Sequence, residues 1–186
     1  TRLKPFTTLI PKPLVPIGGQ YSILEIIIRQ LAKNKFTEIT IAVNHFSQLI
    51  ISYFGNGEKY GVNINYTLEK KPLGTIGPLK IIKNLPDDFL VINGDILTNI
   101  NLYKFFKQHL KNKKKISVCT FKREVKIDYG VINFNKNKLE NFREKPTLNL
   151  NVSMGVYFIN KKILQNIKPT FFGFDSLMKM ALKKKN

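Results

Sequence analysis

The chain of 186 residues has one cysteine, no tryptophan and two histidines. Cys119 has no second cysteine with which to pair, which excludes an internal disulfide framework and favours a reducing cytoplasm. No apolar run reaches the ~20 residues of a membrane-spanning helix, since Glu25 interrupts the longest one, Ile23–Ile28. No segment has the pattern of a signal peptide. We therefore expect a soluble protein of the cytoplasm without a membrane partner.

Acidic residues are scarce too. The chain has 12 Asp and Glu against 31 Lys and Arg, which gives a formal net charge of +19 at pH 7. Lysine supplies 27 of these cations and arginine only four. A charge of this size attracts nucleotides, phosphosugars and nucleic acids alike, whereas specific phosphate or base recognition usually favours the planar fork of arginine. The charge therefore predicts an anionic partner without choosing one.

Hydrophobic residues make up 43% of the chain and aromatic residues 11%, enough for a packed core. Strand-like and helix-like segments alternate, which predicts an α/β fold. Ser22 and Glu25 have the spacing of a capping box, which opens an apolar helix running to about Asn34. The other predicted helices are 47–54, 75–83, 102–111 and 176–185, and the predicted strands are 37–43, 62–68, 89–92, 116–121, 130–134, 139–143 and 152–159.

Two of four unusual segments hold candidate phosphate-binding groups. Arg2 and Lys12 lie in an irregular stretch rich in Pro and Thr, which is either an anion clamp or a loop with surface cations. The buried strand over 89–92 runs into Asn-Gly-Asp, and Asp95 is one of only five aspartates. A carboxylate at the carboxyl end of a strand is well placed to hold a Mg²⁺ ion that bridges phosphates. The alternative is a turn or helix-capping aspartate.

The other two segments also follow predicted strands. In 68–77 a strand leads through a Gly/Thr turn into a predicted helix, whose first N–H groups suit phosphate, unless the turn is a plain connection. Glu144 and Lys145 precede a proline; adjacent strand residues point to opposite faces, so a simple ion pair between them is not expected. The glutamate suits sugar hydroxyls and the lysine a phosphate, with ordinary surface charge as the alternative.

The order of these motifs along the chain resembles that of the sugar-1-phosphate nucleotidyltransferases, also called nucleoside-diphosphate-sugar pyrophosphorylases. The resemblance extends over essentially the whole chain. The matching motifs are Thr1-Arg2-Leu3, Pro11-Lys12-Pro13-Leu14, Leu73–Gly77, Asn93-Gly94-Asp95, Tyr129–Val131, Glu144-Lys145-Pro146 and Met154–Tyr157. The resemblance implies one Rossmann-like catalytic domain over residues 1–186, with a mixed, mostly parallel central sheet flanked by helices. It also implies the reaction of an NTP with a sugar-1-phosphate to give an NDP-sugar and pyrophosphate.

On the nucleotide side, the resemblance implies that Arg2 and Lys12 neutralise the triphosphate and the leaving pyrophosphate. Asp95 would hold the catalytic Mg²⁺. Gly74 and Thr75 would lie against the base.

On the sugar side, the resemblance implies that Lys145 binds the phosphate of the sugar-1-phosphate and that Glu144 accepts hydrogen bonds from sugar hydroxyls. Gly130 and Gly155 would let backbone groups approach the sugar, and Tyr157 would pack near its phosphate.

Glu69 precedes Gly74 by five residues, where the family contacts the base edge. A carboxylate only accepts hydrogen bonds, and guanine offers two adjacent N–H donors, whereas thymine and uracil offer one. Glu69 therefore favours GTP, as in the mannose-1-phosphate guanylyltransferases, with a surface glutamate as the alternative.

The chain also departs from the family pattern. The glycine-rich run that precedes the Thr-Arg motif is absent, as is a late W-x-D-x-G motif with a second metal-binding aspartate, so we expect the domain to be incomplete at both ends. Asp175 lies late in the chain, but its context predicts the start of a helix rather than that second metal-binding aspartate. Ser153 stands where many relatives have asparagine, which leaves the identity of the sugar open.

Several functions stay open at this point. The first is an enzyme making GDP-mannose or an analogue for surface glycans. The others are a thymidylyl-, uridylyl- or cytidylyltransferase and a catalytically silent subunit that binds nucleotide-sugars. Specific nucleic-acid binding is not expected, and the oligomeric state is open between a monomer and a homo-oligomer.

Overall fold

The computed structural model of the protein describes residues 10–165 and 167–183. Arg2 of the predicted anion clamp lies outside the described residues. The chain divides into two compact units. The larger unit comprises Thr1–Ser117 and Tyr157–Asn186, and the smaller unit comprises Val118–Val156. One catalytic domain over residues 1–186 stays a prediction.

Helices and strands alternate along the described residues, which confirms the α/β class. The α-helices there are α1 (Ile23–Lys33), α2 (Ser47–Phe54), α3 (Leu102–Asn112) and α4 (Phe174–Lys183). The strands there are β1 (Pro16–Ile17), β2 (Tyr21–Ser22), β3 (Glu38–Val43), β4 (Asn63–Leu68), β5 (Asp88–Ile92), β6 (Ile116–Lys126), β7 (Val131–Asn135), β8 (Lys138–Arg143) and β9 (Thr147–Asn160). Every helix in this part of the chain falls short of the length and apolar character that a membrane crossing needs.

Helix α1 begins where the capping-box spacing predicts. The Ser22 hydroxyl accepts a hydrogen bond from the Glu25 backbone N–H at 3.2 Å, which satisfies one of the otherwise unpaired N–H groups of the first turn. The Glu25 carboxylate binds the Arg29 guanidinium one turn later, with an Nη2–Oε1 distance of 2.8 Å. The apolar face of the helix, including Ile27 and Ile28, is buried. The periodic spacing of these residues therefore accounts for both the start and the orientation of the helix.

The prediction of a helix over 75–83 is wrong, because only a short 3₁₀ turn forms at Gly77–Lys80. Gly74, just before it, has a φ of +77°, and Asn84, just after it, has a φ of +59°. Pro78 has no N–H to donate within a helix. Gly74 and Asn84 bound the segment, and within it the Ile76 and Gly77 N–H groups bond to the Phe172 carbonyl, so one tight turn forms.

The prediction of one mostly parallel central sheet is also wrong, because the strands of the described residues divide among four small sheets. Strands β3 and β4 pair in parallel, whereas β1 with β2 and β7 with β8 pair antiparallel. Strand β9 lies between β5 and β6 in a sheet of three. Short apolar runs identify strands but carry no information about partners or direction, so the sequence pattern could not predict this division.

The core of the larger unit includes a cluster in which α1 and α2 pack on β3 and β4. Burying one such side chain contributes about 1.5–3 kcal/mol relative to leaving it exposed. The buried members of this cluster are Leu24, Ile28, Val43, Ile50, Phe54, Val62 and Ile64.

A second buried group in the larger unit is polar and centres on His109 of α3, whose exposed fraction is 1%. Its Nε2 lies 3.1 Å from Oδ1 of Asp88 in β5, and its Nδ1 lies 2.7 Å from the hydroxyl of Ser117 in β6. Because a carboxylate can only accept, Nε2 carries the hydrogen that it donates to Asp88. Asn160 of β9 also donates to Asp88, and the imidazole stacks on Phe158. This network joins one helix to three strands.

The smaller unit contains the hairpin of β7 and β8, in which Val131 lies opposite Arg143. The strands lie close to the predicted spans 130–134 and 139–143, and a polar turn joins them. Its central residues, Lys136 and Asn137, have φ values of 45° and 65°. Positive φ at both positions is the requirement of a type I′ turn, whose twist suits two adjoining antiparallel strands.

Candidate functional site

Lys12 and Asp95 are distant in sequence but lie together in the larger unit. Lys12 opens a 3₁₀ turn over Lys12–Leu14 within the Pro-rich segment, and Asp95 lies in the turn that follows β5. The Lys12 Nζ is 3.8 Å from the Asp95 Oδ2, with exposed side-chain fractions of 39% and 45%. An exposed pair at this distance contributes at most about 1 kcal/mol to stability. Both charges are therefore open to solvent and able to meet a ligand.

The surroundings of Asp95 bear on the predicted magnesium ion. Within residues 10–165 and 167–183, no group of three or more His, Cys, Asp or Glu side chains is arranged to hold a metal ion. Mg²⁺ keeps several waters and commonly takes one or two carboxylates together with substrate phosphates. One exposed carboxylate beside a lysine fits an ion that arrives with a nucleotide, rather than an ion held by protein ligands alone.

Glu69, the predicted base-contacting residue, directly follows β4. Its Oε2 accepts a hydrogen bond from the Leu73 backbone N–H at 2.9 Å. The glutamate thus holds the start of the Gly/Thr turn and fixes the direction of its own carboxylate. A carboxylate has about four acceptor sites, so this bond leaves acceptor capacity for a base.

The turn over Leu73–Gly77 contains Gly74 and Thr75, both partly buried. The sequence predicts that N–H groups here begin a helix and face phosphate. The structure instead directs the Ile76 and Gly77 N–H groups to the Phe172 carbonyl, at 3.0 and 3.1 Å. Phe172 therefore acts on this turn through its backbone, and sequence reasoning missed it because a backbone contact leaves no side-chain pattern.

Tyr157 lies near the end of β9 and is buried, with an exposed fraction of 5%. Its ring stacks on Phe174 at the start of α4, with a centroid distance of 3.6 Å and an interplanar angle of 17°. The structure thus places this predicted phosphate neighbour against a helix, and it brings Tyr157 into contact with the segment that follows Phe172.

The smaller unit brings together two of the predicted sugar-side residues, Gly130 and Glu144. Gly130 directly precedes β7 and Glu144 directly follows β8, so the hairpin register places them opposite each other. A Cβ atom at Gly130 would lie 2.7 Å from the Phe142 ring and 3.2 Å from the Glu144 Oε2. A side chain at this position would require the Phe142 ring to shift.

The remaining sugar-side residues of the smaller unit have unusual backbone angles. Lys145 is exposed with a φ of 42°, which is rare for a residue other than glycine. Gly155 is buried with a φ of +73°, and its N–H donates to the Ser153 hydroxyl at 3.4 Å.

Two groups that resemble nucleophiles are enclosed. Burial raises the pKa of the Cys119 thiol, which therefore stays protonated, and the thiol points to the Met154 sulfur at 3.5 Å. The Ser117 hydroxyl bonds to His109, whose ring has almost no access to solvent. Neither group suits covalent catalysis, which agrees with a reaction that depends on charge and positioning.

Comparison with known proteins gives a consistent result. A sequence model described as nucleotidyl transferase matches residues 1–179. A mannose-1-phosphate guanyltransferase from Yarrowia lipolytica is 32% identical over 194 residues, covering 98% of this chain and 53% of that protein. The mannose-1-phosphate guanyltransferase of Saccharomyces cerevisiae is 34% identical over 182 residues, covering 91% and 50%. The chain spans about half the length of these curated relatives.

Solved structures share the fold. A putative glucose-1-phosphate thymidylyltransferase from Bacillus anthracis, in complex with a sucrose, superposes with a TM-score of 0.73 at 23% identity, covering 98% of this chain and 78% of that one. HddC from Yersinia pseudotuberculosis gives a TM-score of 0.66 at 22% identity, covering 89% and 74%. At these identities the likeness concerns the arrangement of helices and strands.

Proposed function

Because the chain belongs to the nucleotidyl transferase family, we propose that its protein condenses a nucleoside triphosphate with a sugar-1-phosphate. The observation that carries this proposal is the exposed pair of Lys12 and Asp95 beyond β5. We favour GTP and mannose-1-phosphate as substrates, because the relatives at 32% and 34% identity are named mannose-1-phosphate guanyltransferases. The GDP-sugar would supply surface glycan synthesis from the cytoplasm.

In this reaction a phosphate oxygen of the sugar-1-phosphate attacks the α-phosphorus of the nucleotide in line. A new phosphorus–oxygen bond forms as the bond from the α-phosphorus to the bridging oxygen breaks. Pyrophosphate leaves with the bonding electron pair. Most of the barrier is electrostatic and positional, because the reaction brings several negative charges together.

The residues of the larger unit would act on those charges. The Lys12 ammonium would neutralise the triphosphate and the negative charge that develops on the leaving pyrophosphate, a role that Arg2 would share. Asp95 would hold a Mg²⁺ ion that arrives with the nucleotide. When bound, that ion supplies positive charge to the reacting phosphates. Gly74 and Thr75 would lie against the base.

In the smaller unit, we assign Lys145 to the phosphate of the sugar-1-phosphate and Glu144 to the sugar hydroxyls. Gly130, which lies opposite Glu144 in the hairpin, and Gly155 would let backbone groups approach the sugar. In the larger unit, Tyr157 would pack near a substrate phosphate.

Pyrophosphate release tests the proposal directly. The assay uses the natural protein that contains these 186 residues, with Mg²⁺, the four NTPs and a panel of sugar-1-phosphates. We expect the highest rate with GTP and mannose-1-phosphate. A preference for UTP or dTTP would overturn the choice of nucleotide but keep the reaction. No release with any pair, together with binding of a nucleotide-sugar, would favour a catalytically silent subunit.

Changing Glu69 to glutamine is expected to lower the preference for GTP over UTP by about tenfold, which corresponds to about 1.4 kcal/mol. The amide oxygen of glutamine can still accept the Leu73 N–H, so the turn keeps its shape. Its amide group, however, can present N–H donors to the N–H donors of guanine. Ratios of kcat/KM for the two nucleotides measure the effect.

The matched control for this experiment is Glu38→Gln. Glu38 is an exposed glutamate at the start of β3, and it too accepts one hydrogen bond, from the Asn63 side chain. If the Glu69 variant keeps the nucleotide profile of the control, base contact by Glu69 is refuted.

Changing Lys145 to asparagine is expected to raise the KM for the sugar-1-phosphate about tenfold, the effect of losing one charge-assisted contact. The KM for the NTP should stay within about twofold. Asparagine tolerates positive φ better than most residues, so the backbone at 42° is kept.

Lys136→Asn serves as the control, because Lys136 has a φ of 45° in the exposed hairpin turn. A loss of NTP affinity instead of sugar-phosphate affinity would contradict the assignment of Lys145.

A further inference from the structure

A short segment just before α4 lies across the Gly/Thr turn. We call Thr170–Phe172 the strap and Leu73–Gly77 the nucleotide loop. The Phe172 N–H donates to the Leu73 carbonyl at 2.8 Å, and the Phe172 carbonyl accepts from the Ile76 and Gly77 N–H groups at 3.0 and 3.1 Å. One residue of the strap, Phe172, therefore bonds through its backbone to both ends of the nucleotide loop.

Two glycines of the nucleotide loop allow this contact. A Cβ atom at Gly77 would lie 2.6 Å from the Thr170 carbonyl oxygen and 2.8 Å from the Leu73 Cβ. A Cβ atom at Gly74 would lie 3.0 Å from the Phe172 carbonyl oxygen, and the φ of +77° there already favours glycine. The two segments meet backbone to backbone, so neither can shift without the other.

The loop and the strap are each held on their other side as well. Glu69 accepts the Leu73 N–H at 2.9 Å, so both backbone polar groups of Leu73 are bonded. Beyond the strap, Phe174 stacks on Tyr157 at 3.6 Å. The nucleotide loop is thereby fixed from β4 on one side and from the strap and α4 on the other.

We propose that the strap is a positioning element for nucleotide binding, in which the backbone N–H and carbonyl of Phe172 hold the nucleotide loop in its binding conformation before the NTP arrives. The inference rests on the proposed function, since it takes the loop as the base-binding segment. A loop ordered in advance loses less conformational entropy when its ligand binds. The strap therefore acts on NTP affinity and not on the chemical step.

The test is Gly77→Ala in the natural protein. The added methyl group meets a backbone carbonyl that cannot turn away, so the strap must separate from the loop. We expect the KM for GTP and the Kd for GTP, measured by calorimetry without the second substrate, to rise about tenfold. The KM for the sugar-1-phosphate should change less than twofold.

Gly173→Ala is the matched control. Among the described residues, a Cβ atom there meets only the Asp175 side chain, 2.4 Å from its Oδ1, and that carboxylate can rotate away. This variant should keep the wild-type KM for both substrates. Equal KM values for GTP in the folded Gly77 variant and the control would overturn the proposal. So would a loss of thermal stability without a selective change in NTP affinity.

Phe172→Pro provides a second variant in case the Gly77 variant fails to fold. It removes the N–H that bonds to Leu73, together with the aromatic ring, and keeps the backbone carbonyl at position 172. Hydrogen exchange at the Ile76 and Gly77 amides should quicken at least tenfold relative to wild type, and unchanged exchange would overturn the proposal.

Failure of the strap proposal can be distinguished from failure of the proposed function. If wild-type protein neither binds nor uses any NTP, the proposed function fails and the binding role of the strap fails with it. The exchange rates then still show whether the strap holds the loop. If the wild type is active and the variants keep their affinity for GTP, only the strap proposal fails.

Discussion

Replacing Asp95 with asparagine is expected to lower kcat for pyrophosphate release by about 10²–10³-fold, the loss typical when one charge-stabilising group leaves a preorganised site. Asparagine keeps the size and one oxygen of the side chain but removes the negative charge that would hold Mg²⁺. The dependence of the remaining rate on Mg²⁺ concentration should shift to higher concentrations. The melting temperature should stay nearly the same, because the ion pair with Lys12 is exposed and 3.8 Å long.

Asp175→Asn is the matched control for this change. Asp175 forms an exposed ion pair with Lys179, also at 3.8 Å, within α4. It should therefore report the cost of losing such a pair without touching the proposed site. Full activity of the Asp95 variant at ordinary Mg²⁺ concentration would remove Asp95 from the metal-binding role.

Replacing His109 with alanine is expected to lower the free energy of unfolding by about 3 kcal/mol, through the lost ring volume and the lost hydrogen bonds together. The ring packs on Phe158 and bonds to Asp88 and Ser117 in a site with almost no access to solvent. Alanine would leave a cavity and remove the bonds to Ser117 and Asp88, of which Asp88 keeps the bond from Asn160. Urea unfolding monitored by circular dichroism measures the change.

Two further variants show how much of the expected loss of stability comes from the hydrogen bonds of His109. His45→Ala removes the other histidine of the chain, which is exposed, and should change stability by no more than about 0.5 kcal/mol. His109→Leu refills most of the volume without the hydrogen bonds, so its cost isolates the polar part of the network. A loss below about 1 kcal/mol for His109→Ala would show that the network is dispensable for stability.

Helices with a strong apolar periodicity could be predicted from the sequence. The apolar period and the Ser22 cap predicted α1, and the predicted bounds of α2, 47–54, agree with the structure. These features depend on residues a few positions apart, so the sequence contains what decides them. The helix over 75–83 failed because its conformation depends on Phe172, which is remote in sequence.

In the candidate site, too, some features could be predicted from the sequence and others could not. Asp95 after a buried strand is visible as a motif, and so is Lys12 between two prolines. Their proximity is a tertiary fact that only the resemblance to a family anticipated. The bond from Glu69 to Leu73 and the contacts of the strap could not be predicted, because each involves a backbone group that every residue possesses. Strand partners were missed for the same reason.

The contact between the strap and the nucleotide loop has a consequence for synthesis on the ribosome. The loop is translated roughly a hundred residues before Phe172, so at about 5–20 residues per second it waits on the order of 5–20 s for its partner. During that interval the nascent chain already contains Gly74 and Gly77 but lacks the carbonyl and N–H groups that complete the turn. On the proposed role of the strap, affinity for the nucleotide would therefore rise late in translation, when the segment before α4 emerges.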